Sequence, residues 1–351
     1  MADHRFDAGA LRDFCRDCFI GAGVAPDKAA AIGEILVEGD LLGHTTHGLQ
    51  MMIPYMKSVA KGGMLLDGEP EILRDRAAAF AWDGRYLAGP WLVMKAIDEA
   101  VKRAQTYGLA AATIVRSHHI ACLQAYLKRV TDQGMAIMLT CSDPAEMLVA
   151  PHGGKEARYT PNPLAFGAPT EDGAILIDVT LSTVTNGMAM RLNREGKKFP
   201  ALWLKDADGN PTDDPGARFT DPMGSFMPLG GVELGHKGFA LGTMVEVLTS
   251  ALSGHGRGER PTRWNAAVFL QVFDPEFFGG REAFIRENSY FSDLCRATPV
   301  VDGNPPVRMP GDGSLARRAE QLKNGVRLYD GIEAGIRKCG EDLGVAFPAP
   351  L

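Results

Sequence analysis

The chain has 351 residues, of which 45% are hydrophobic and 23% are charged. This composition is typical of folded globular proteins and excludes disordered and collagen-like classes, and the length favours two domains. The net charge of −6 comes from acidic and basic residues mixed along the chain, which offers no basic surface for a nucleic-acid partner.

Neither a secretory leader nor a membrane-spanning segment is predicted. The first residues, MADHRFDAGALRDF, carry charges where a leader needs an apolar stretch. No later run reaches the ~18 apolar residues of a spanning helix. We therefore expect a cytoplasmic protein without a membrane partner.

The N-terminal segment is predicted to form a small helical bundle. Apolar residues recur at helical spacing in 11–18 and again in 32–36, and Pro26 between them suits a helix start. Cys15 and Cys18 form a single C-x-x-C pair on the helical pattern. We interpret them as structural or surface thiols, because no second pair completes a zinc site.

A helix and a strand are predicted next. Residues 90–107 have helical periodicity, and AAATIV predicts a strand that ends close to Ser117, directly before His118 and His119. Neighbouring side chains at a strand end point in different directions, so at most one of the two histidines is expected to face a substrate.

The central segment reads as short strands separated by Gly/Pro turns. MAIMLTCS, PLAFGAP and AILIDVT predict three strands, and AAVFLQVF predicts a fourth. LKDADGNPTDD predicts a turn through its Asp-Gly pair, and the rest of the calcium-loop pattern that DADGN resembles is missing. Helices are predicted from about Lys237 through Leu252, from about Leu315 after a Pro/Gly-rich surface connection, and at the C-terminus.

Common nucleotide-binding motifs are missing from the sequence. It has no P-loop pattern, and its only G-x-G-x-x-A pattern, Gly311 to Ala316, follows a proline and not a strand. A conventional Rossmann domain is therefore not expected. PLGGVELGHKG places glycines and Lys237 at a predicted helix start, where free N–H groups favour anions. A plain loop with a surface lysine is an equal alternative for this segment.

Histidines are the candidate proton-transfer residues, since their ordinary pKa lies near neutral pH. Two close pairs occur, His44 with His47 in HTTHG and His118 with His119 in RSHHIA. A metal site at HTTH is not expected, because no nearby carboxylate motif or cysteine completes a ligand set. A lone histidine is usually structural, so neither pair identifies an activity by itself.

Six segments carry more information together than any one of them alone. They are GDLLGHTTHGLQMMIPYM, VRSHHIACLQAYL, TPNPLAFGAP, ILIDVTLSTVTNG, PLGGVELGHKGFAL and VRMPGD. From about residue 7 to residue 340, their order and spacing resemble the malate/L-lactate dehydrogenase-like family of NAD(P)-dependent oxidoreductases. This family includes malate, sulfolactate and ureidoglycolate dehydrogenases, a diketogulonate reductase and reductases of cyclic imino acids.

The resemblance implies an α/β fold unrelated to Rossmann lactate dehydrogenases. It implies a homodimer in which residues 1–117 and 300–351 form a mainly helical substrate and dimerisation domain. Residues 118–299 are then expected to form the domain that binds NAD or NADP, built on a largely antiparallel sheet.

The resemblance also implies site residues by position. His119 and His47 are the implied catalytic residues, with His119 as the general acid/base, and His118 stands where the family often has Asn. The implied substrate-binding residues are Thr46, His47, Met51, Tyr55 and Arg116. The implied cofactor-binding residues are Ser142, Asp178, Val179, Thr180, Lys237, Pro310, Gly311 and Asp312. No metal ligand is implied.

Three departures from the family pattern bear on the substrate. Met51 stands where many members carry an arginine, four residues after the pocket histidine, that suits a substrate carboxylate. TPNP replaces GTNP, and Ala121 replaces a common glycine. His47, Arg116 or a partner subunit could supply positive charge instead, and an uncharged or bulkier substrate end is the alternative.

The expected activity is hydride transfer between nicotinamide and carbon 2 of a small 2-oxo or 2-hydroxy acid. His119 would exchange the proton that the substrate oxygen or nitrogen gains or loses. Two alternatives stay open: a reductase of cyclic imino acids with proline- or pipecolate-like products, and a non-catalytic relative that only binds a ligand. The joint presence of His119, Asp178 and Lys237 argues against the second alternative.

Overall fold

The computed structural model of the chain describes residues 4–329 and 331–351. Within these residues the helices are α1 (Ala8–Gly21), α2 (Pro26–Leu42), α3 (Met52–Ala60), α4 (Gly89–Tyr107), α5 (Gln124–Thr131), α6 (Asn186–Arg194), α7 (Gly231–Glu246), α8 (Arg281–Arg296), α9 (Asp312–Asn324) and α10 (Glu333–Glu341). The strands are β1 (Arg5–Phe6), β2 (Glu71–Arg76), β3 (Ala79–Asp83), β4 (Leu109–Ser117), β5 (Ala136–Ser142), β6 (Leu164–Thr170), β7 (Gly173–Val179), β8 (Leu204–Lys205), β9 (Pro211–Thr212), β10 (Ser225–Phe226), β11 (Ala266–Phe273) and β12 (Val326–Arg327).

A seven-stranded sheet forms the centre of the fold, in the order β2-β3-β4-β11-β5-β6-β7. All neighbouring strands are antiparallel except β3 and β4, which are parallel and are connected through α4. The strand β11 reads AAVFLQVF and is almost entirely buried between β4 and β5, which explains its continuous apolar run. The expected α/β fold with a largely antiparallel, non-Rossmann sheet is confirmed.

Helices from both ends of the chain pack together, as the resemblance implies. α1 and α9 contact α2, and α10 contacts α3 and α1. β1 pairs with β12, which places Phe6 opposite Val326. Their buried side chains join those of the central sheet in one hydrophobic core, to which each fully buried Leu or Phe contributes about 1.5–3 kcal/mol.

Gly43 ends α2 and starts the HTTHG segment. Its φ of 90° lies in the left-handed region, which glycine adopts without the strain that a Cβ would bring. The chain therefore leaves the helix sharply at the point where the first candidate histidine follows.

A second, smaller hydrophobic cluster lies outside the main core. Its buried members are Val149, Tyr159, Val184, Ala189, Phe199, Leu204 and Phe226. The short sheet β10-β8-β9 belongs to this part of the molecule. The predicted turn between β8 and β9 is confirmed, because the Asp206 carboxylate accepts the backbone N–H groups of Asp208 and Asn210 at 3.0 and 2.9 Å.

The predicted start of the helix near Lys237 is wrong, since α7 begins at Gly231. Glycines are poor helix formers, so the sequence PLGGVELGHKG suggests a loop where the structure has helix. These glycines allow close packing: a Cβ on Gly238 would lie 2.2 Å from the carbonyl oxygen of Leu229. Lys237 therefore lies in the second turn of the helix with an exposed side chain, away from the free N–H groups of the first turn.

The main core continues across residue 117, because β4 ends there and lies between β3 and β11. The division into 1–117 with 300–351 and 118–299 stays a prediction, since it concerns which segments hold substrate and cofactor. None of the described helices is both long enough and apolar enough to cross a bilayer.

Candidate active site

Several predicted site residues converge at one edge of the central sheet. β4 and β5 end at this edge and β11 starts there, because Ala266 pairs with Ser117 and Ala267 with Ser142. β7 also ends at this edge, since the start of β6 pairs with its last residue, Val179. The antiparallel register therefore brings together segments that are far apart in the sequence.

His119 follows the end of β4 and is held through its Nδ1 atom. The Tyr55 hydroxyl oxygen lies 2.8 Å from His119 Nδ1 and 2.9 Å from the His119 carbonyl oxygen. The carbonyl can only accept, so the single hydroxyl hydrogen goes to it and the hydroxyl oxygen accepts from Nδ1–H. The Ala121 N–H also approaches Nδ1, at 3.2 Å, which favours the other tautomer. We assign the proton to Nδ1 because this assignment satisfies the two shorter contacts.

The assigned tautomer leaves His119 Nε2 as the unprotonated nitrogen. Nε2 accepts no hydrogen bond from the described residues, and the side chain is partly exposed. A nitrogen in this state can take a proton from a substrate and return it. Burial, together with neighbouring His47 and His118, lowers the pKa of His119 well below its ordinary 6.5.

Rings surround His119 on several sides. The Trp264 ring centroid lies 5.1 Å from that of His119, and the His47 ring is nearly parallel to it at 5.8 Å. His47 Nδ1 lies 3.0 Å from the Thr46 hydroxyl, and burial and His44 lower the pKa of His47 to about 4. The structure thus brings the two predicted catalytic histidines together, both in environments that favour the neutral imidazole.

His118 has a different environment from its neighbour. It is fully buried, with Nε2 2.9 Å from the Ser58 hydroxyl and with its Nδ1 atom left without a partner among the described residues. Its ring meets Trp264 edge-on at 4.8 Å. Burial and the charge of Arg263 lower the pKa of His118 to about 3. Of the two adjacent histidines, only His119 is open to a substrate.

Met51 and Tyr55 lie in the short helical turn after HTTHG and in α3. Met51 is partly buried and packs against the main core. Tyr55 is fully buried and uses its hydroxyl on His119. The geometry makes Tyr55 a support for His119, while its direct contact with substrate stays a prediction.

Arg116 forms an ion pair with the buried Asp83. Arg116 Nε lies 3.0 Å from one carboxylate oxygen, and Nη2 contacts the other. Moving the guanidinium onto a substrate would break this ion pair and leave the buried Asp83 carboxylate with the Arg85 N–H, at 2.9 Å, as its donor. Arg191 of α6 is a cation beside the pocket segment instead, since it donates to the Thr45 hydroxyl at 3.1 Å.

Asp178 lies at the end of β7, beside His44 and Cys122. Its Oδ2 atom accepts the backbone N–H of Gln124 at 2.8 Å and the Cys122 thiol at 3.7 Å. Burial raises the pKa of Asp178, and the charge of His44 opposes this effect. Oδ1 accepts no hydrogen bond within the described part of the chain, so one carboxylate oxygen is open to a ligand.

The segment 310–312 docks on β7 close to Asp178. The Pro310 carbonyl accepts the N–H of Leu176 at 3.0 Å. Gly311 has a φ of 101°, and a Cβ there would lie 2.9 Å from the Leu176 nitrogen, so only glycine fits. The Asp312 carboxylate accepts the N–H of Met309 and pairs with Arg296, each at 2.8 Å.

The other predicted cofactor residues have mixed surroundings. The Ser142 hydroxyl is buried against those of Thr249 and Ser250, at 2.9 and 3.2 Å. The Thr180 hydroxyl lies 3.0 Å from that of Ser182, and Val179 is exposed. Lys237 forms no ion pair with any described residue.

The chain matches the malate/L-lactate dehydrogenase family over residues 6–337. It belongs to this family. It is 26% identical to hydroxycarboxylate dehydrogenase B of Escherichia coli strain K12 over 349 residues, which cover 97% of this chain and 95% of that protein. It is 28% identical to an L-lactate dehydrogenase of Cupriavidus necator over 346 residues, covering 97% and 98%.

A solved structure carries the same fold. The crystal structure of delta1-piperideine-2-carboxylate reductase from Pseudomonas syringae pvar. tomato matches with a TM-score of 0.83 at 26% identity, over 95% of this chain and 99% of that one. The chain is therefore an oxidoreductase of the dehydrogenase and reductase type, which sets aside the non-catalytic alternative. The resemblance inferred from the six segments is confirmed.

Sequence reasoning missed several residues of this family member's site. Trp264 carried a usable signal, because a tryptophan two residues before a strongly apolar strand lies close to a strand end. Gln124 and Arg191 carried none, since each acts through a contact with a distant segment. Asp40 was also missed: its Oδ2 accepts the Leu49 N–H at 2.7 Å and its buried Oδ1 has no partner among the described residues.

The expectation that HTTH holds no metal site stays a prediction. It depended on the lack of a carboxylate or cysteine close in sequence, but the fold supplies both. His44, Cys122 and Asp178 each place a ligand atom within 4.8 Å of the others. The two residue types that the local sequence lacks therefore come from two distant segments.

Proposed function

We propose that this oxidoreductase transfers hydride between NAD or NADP and carbon 2 of a small 2-oxo or 2-hydroxy acid. One observation carries the proposal: Tyr55 holds His119 at the sheet edge through Nδ1 and the carbonyl oxygen, which leaves Nε2 without a hydrogen bond from the described residues. The similarity to a hydroxycarboxylate dehydrogenase and an L-lactate dehydrogenase supports the substrate class. A cytoplasmic location is part of the proposal.

The end of β7 fits a pyridine dinucleotide. The open oxygen of Asp178 can accept a hydrogen bond from a ribose hydroxyl, and the exposed Val179 leaves the surface beside it accessible. The segment 310–312 lies on the same strand. Bound here, the cofactor supplies or accepts the hydride. Ser142, Thr180 and Lys237 are proposed as further contacts, Lys237 on the strength of the resemblance alone.

His119 moves the proton in this reaction. In the oxidation direction, neutral Nε2 accepts the proton of the substrate hydroxyl. In the reduction direction, the protonated ring donates from Nε2 to the substrate oxygen. Tyr55 keeps the other nitrogen engaged in both directions, so the same ring atom always faces the substrate. We propose His47, whose ring lies parallel to His119, as the second contact to substrate.

A cyclic imino acid is the second candidate substrate. Met51 presents an apolar, partly buried side chain where many family members carry an arginine, which suits a bulkier ring. The similarity to delta1-piperideine-2-carboxylate reductase points in the same direction. His119 would then exchange the proton on the substrate nitrogen.

A substrate panel tests both candidates. The purified chain is assayed with NADH and with NADPH against pyruvate, oxaloacetate, delta1-pyrroline-2-carboxylate and delta1-piperideine-2-carboxylate. The proposal expects the highest kcat/KM with a 2-oxo acid. A higher kcat/KM with an imine selects the second candidate, and no oxidation of either cofactor with any of the four compounds contradicts both.

We also propose a homodimer that uses one face of α7 and its continuation. The exposed apolar side chains there are Val232, Leu234, Leu241, Met244, Val247 and Leu252. Exposed apolar side chains concentrated on one element are typical of protein interfaces. Light scattering should show a dimer, and the double change Leu241→Lys with Met244→Lys should give a monomer. Ile72→Lys, at an exposed apolar position on the edge strand β2, is the control.

A further inference from the structure

Three metal-ligating side chains meet beside the pocket histidines. His44 comes from the segment after α2, Cys122 from the loop after β4, and Asp178 from the end of β7. One ligand atom of each lies within 4.8 Å of the other two. Cys122 is buried, whereas His44 and Asp178 are partly exposed, so an ion can reach the group from solvent.

Gln124 holds the His44 ring through its Nε2 atom. The Gln124 amide nitrogen donates to the Leu176 carbonyl at 3.0 Å, which turns the amide oxygen toward His44. That oxygen lies 2.7 Å from His44 Nε2, so Nε2 carries the proton and Nδ1 is left with its lone pair. Metal-ligating histidines commonly donate their second N–H to a carbonyl in this manner.

The ligand types select the class of ion. A thiolate sulfur, an imidazole nitrogen and a carboxylate oxygen form a mixed set that suits Zn²⁺ and Co²⁺, whereas Mg²⁺ and Ca²⁺ prefer oxygen ligands only. We propose that His44, Cys122 and Asp178 bind a zinc-class divalent ion, with a fourth coordination position left to water. This site lies outside the proton-transfer path through His119.

Ion binding is coupled to loss of the thiol proton. The sulfur–metal bond forms as the Cys122 S–H bond breaks and its proton passes to solvent, with no change in oxidation state. Affinity for the ion should therefore increase as the pH rises.

The proposed site has a consequence for the cofactor. Asp178 is shared, because the proposed function assigns its open oxygen to the dinucleotide, and this consequence rests on that function. An ion held by Asp178 should then weaken dinucleotide binding. The site itself does not depend on this competition.

Cobalt spectroscopy on the full, chelator-treated chain tests the proposal. Titration with Co²⁺ should saturate at one equivalent per chain and produce a sulfur-to-cobalt charge-transfer band, and Zn²⁺ should displace the cobalt. Cys122→Ala should remove the band and weaken Zn²⁺ binding by at least tenfold in calorimetry. Cys141→Ala, which changes a half-buried cysteine outside the group, should leave both unchanged.

A second variant, in the carboxylate ligand, tests the site independently of the thiol. Asp178→Asn, with a melting temperature near that of the parent chain, should weaken Zn²⁺ binding without touching the thiol. No charge-transfer band in the parent chain, or an equal band in Cys122→Ala, overturns the proposal. Zinc binding in a chain that turns over no substrate would contradict the proposed function alone, and turnover without zinc binding would contradict the metal site alone.

Discussion

The Tyr55 hydroxyl bridges two atoms of one residue, lying 2.8 Å from Nδ1 and 2.9 Å from the carbonyl oxygen of His119. This bridge fixes both the direction of the imidazole and the nitrogen that carries its proton. Tyr55→Phe should therefore lower kcat by tenfold or more, part of the ~10²–10⁴-fold that proton transfer contributes. Steady-state kinetics at saturating substrate measure the loss.

Tyr126→Phe is the matched control for this change. Tyr126 is also buried, and its hydroxyl donates to the Ile120 carbonyl at 2.6 Å, without contacting His119. Both variants should lose a similar amount of stability, about 0.5–1.5 kcal/mol for one hydrogen bond. An equal fall of kcat in the two variants would mean that Tyr55 acts through packing only.

His119→Ala should reduce kcat by about 10²–10⁴-fold while the Kd for the dinucleotide stays close to that of the parent chain. The imidazole moves a proton but is not among the proposed cofactor contacts. Fluorescence titration with NADH or NADPH measures binding separately from turnover. A variant with near-normal kcat would remove His119 from its assigned role.

Lys237→Ala is expected to weaken cofactor binding, whereas His119→Ala is expected to lower kcat. If Lys237 contacts the dinucleotide, its loss should raise the KM for cofactor more than the KM for substrate. Lys237 is exposed in the second turn of α7, so its loss should raise the cofactor KM only if the side chain contacts the dinucleotide. An unchanged cofactor KM would make Lys237 a surface lysine of the helix.

The pH dependence of the two reaction directions should differ. Because burial and neighbouring histidines lower the pKa of His119, the ring is already neutral around pH 7. Reduction uses the protonated ring, so its kcat/KM should rise about tenfold for each pH unit lowered from 8 to 6. Oxidation uses the neutral ring, and its kcat/KM should be flat over the same interval. A reduction rate independent of pH would contradict proton donation by His119.

Met51→Arg should shift preference toward dicarboxylates, raising kcat/KM for oxaloacetate relative to pyruvate. A new charge-assisted contact is worth about 1.5–3 kcal/mol, or roughly one to two powers of ten. Met56→Arg is the control, since Met56 is also partly buried against the core, in the following helical turn. A lower melting temperature in both variants with no change of ratio would show that Met51 only packs.

Asp40→Asn should change the dependence of stability on pH. Burial raises the pKa of Asp40 from 3.8 to about 7, so between these values the folded chain holds a proton that the unfolded chain has released. The contribution of Asp40 to stability is then lost as the pH rises toward 7. The variant keeps an acceptor for the Leu49 N–H and does not ionise.

Urea unfolding of both chains at pH 5 and pH 8 measures this effect. The free energy of unfolding of Asp40→Asn, taken relative to the parent chain, should increase from pH 5 to pH 8. A difference of the same size at both pH values would show that Asp40 is already ionised at pH 5 in the folded chain, so that its pKa is not raised into this interval.

Strand positions followed closely from the sequence, whereas one helix start did not. β5, β6, β7 and β11 coincide with apolar runs bounded by glycine, proline or polar turns, because such runs suit strands that pack side chains into the main core. The predicted start of α7 was too late because the first turns of the helix are rich in glycine, as loops are. In the structure, these glycines allow close packing.

The sequence predicts which histidines belong to the site, but it does not predict which distant residues contact them. The position of His119 at the end of β4 follows from local pattern, and its role from the family resemblance. The approach of Trp264 depends on the pairing of β4 with β11, which local periodicity does not specify. The meeting of His44, Cys122 and Asp178 depends on the same long-range register.

The pairing of β1 with β12 joins residues 5–6 to residues 326–327, and α1 packs on α10 close by. On a ribosome that adds about 5–20 residues per second, β12 is synthesised on the order of 15–65 s after β1. During that time the apolar face of α1 lacks part of its cover. Contacts of such long sequence separation also slow folding after release. Synthesis of this chain therefore includes an interval in which its first helices lack the contacts that β12 and α10 supply in the folded chain.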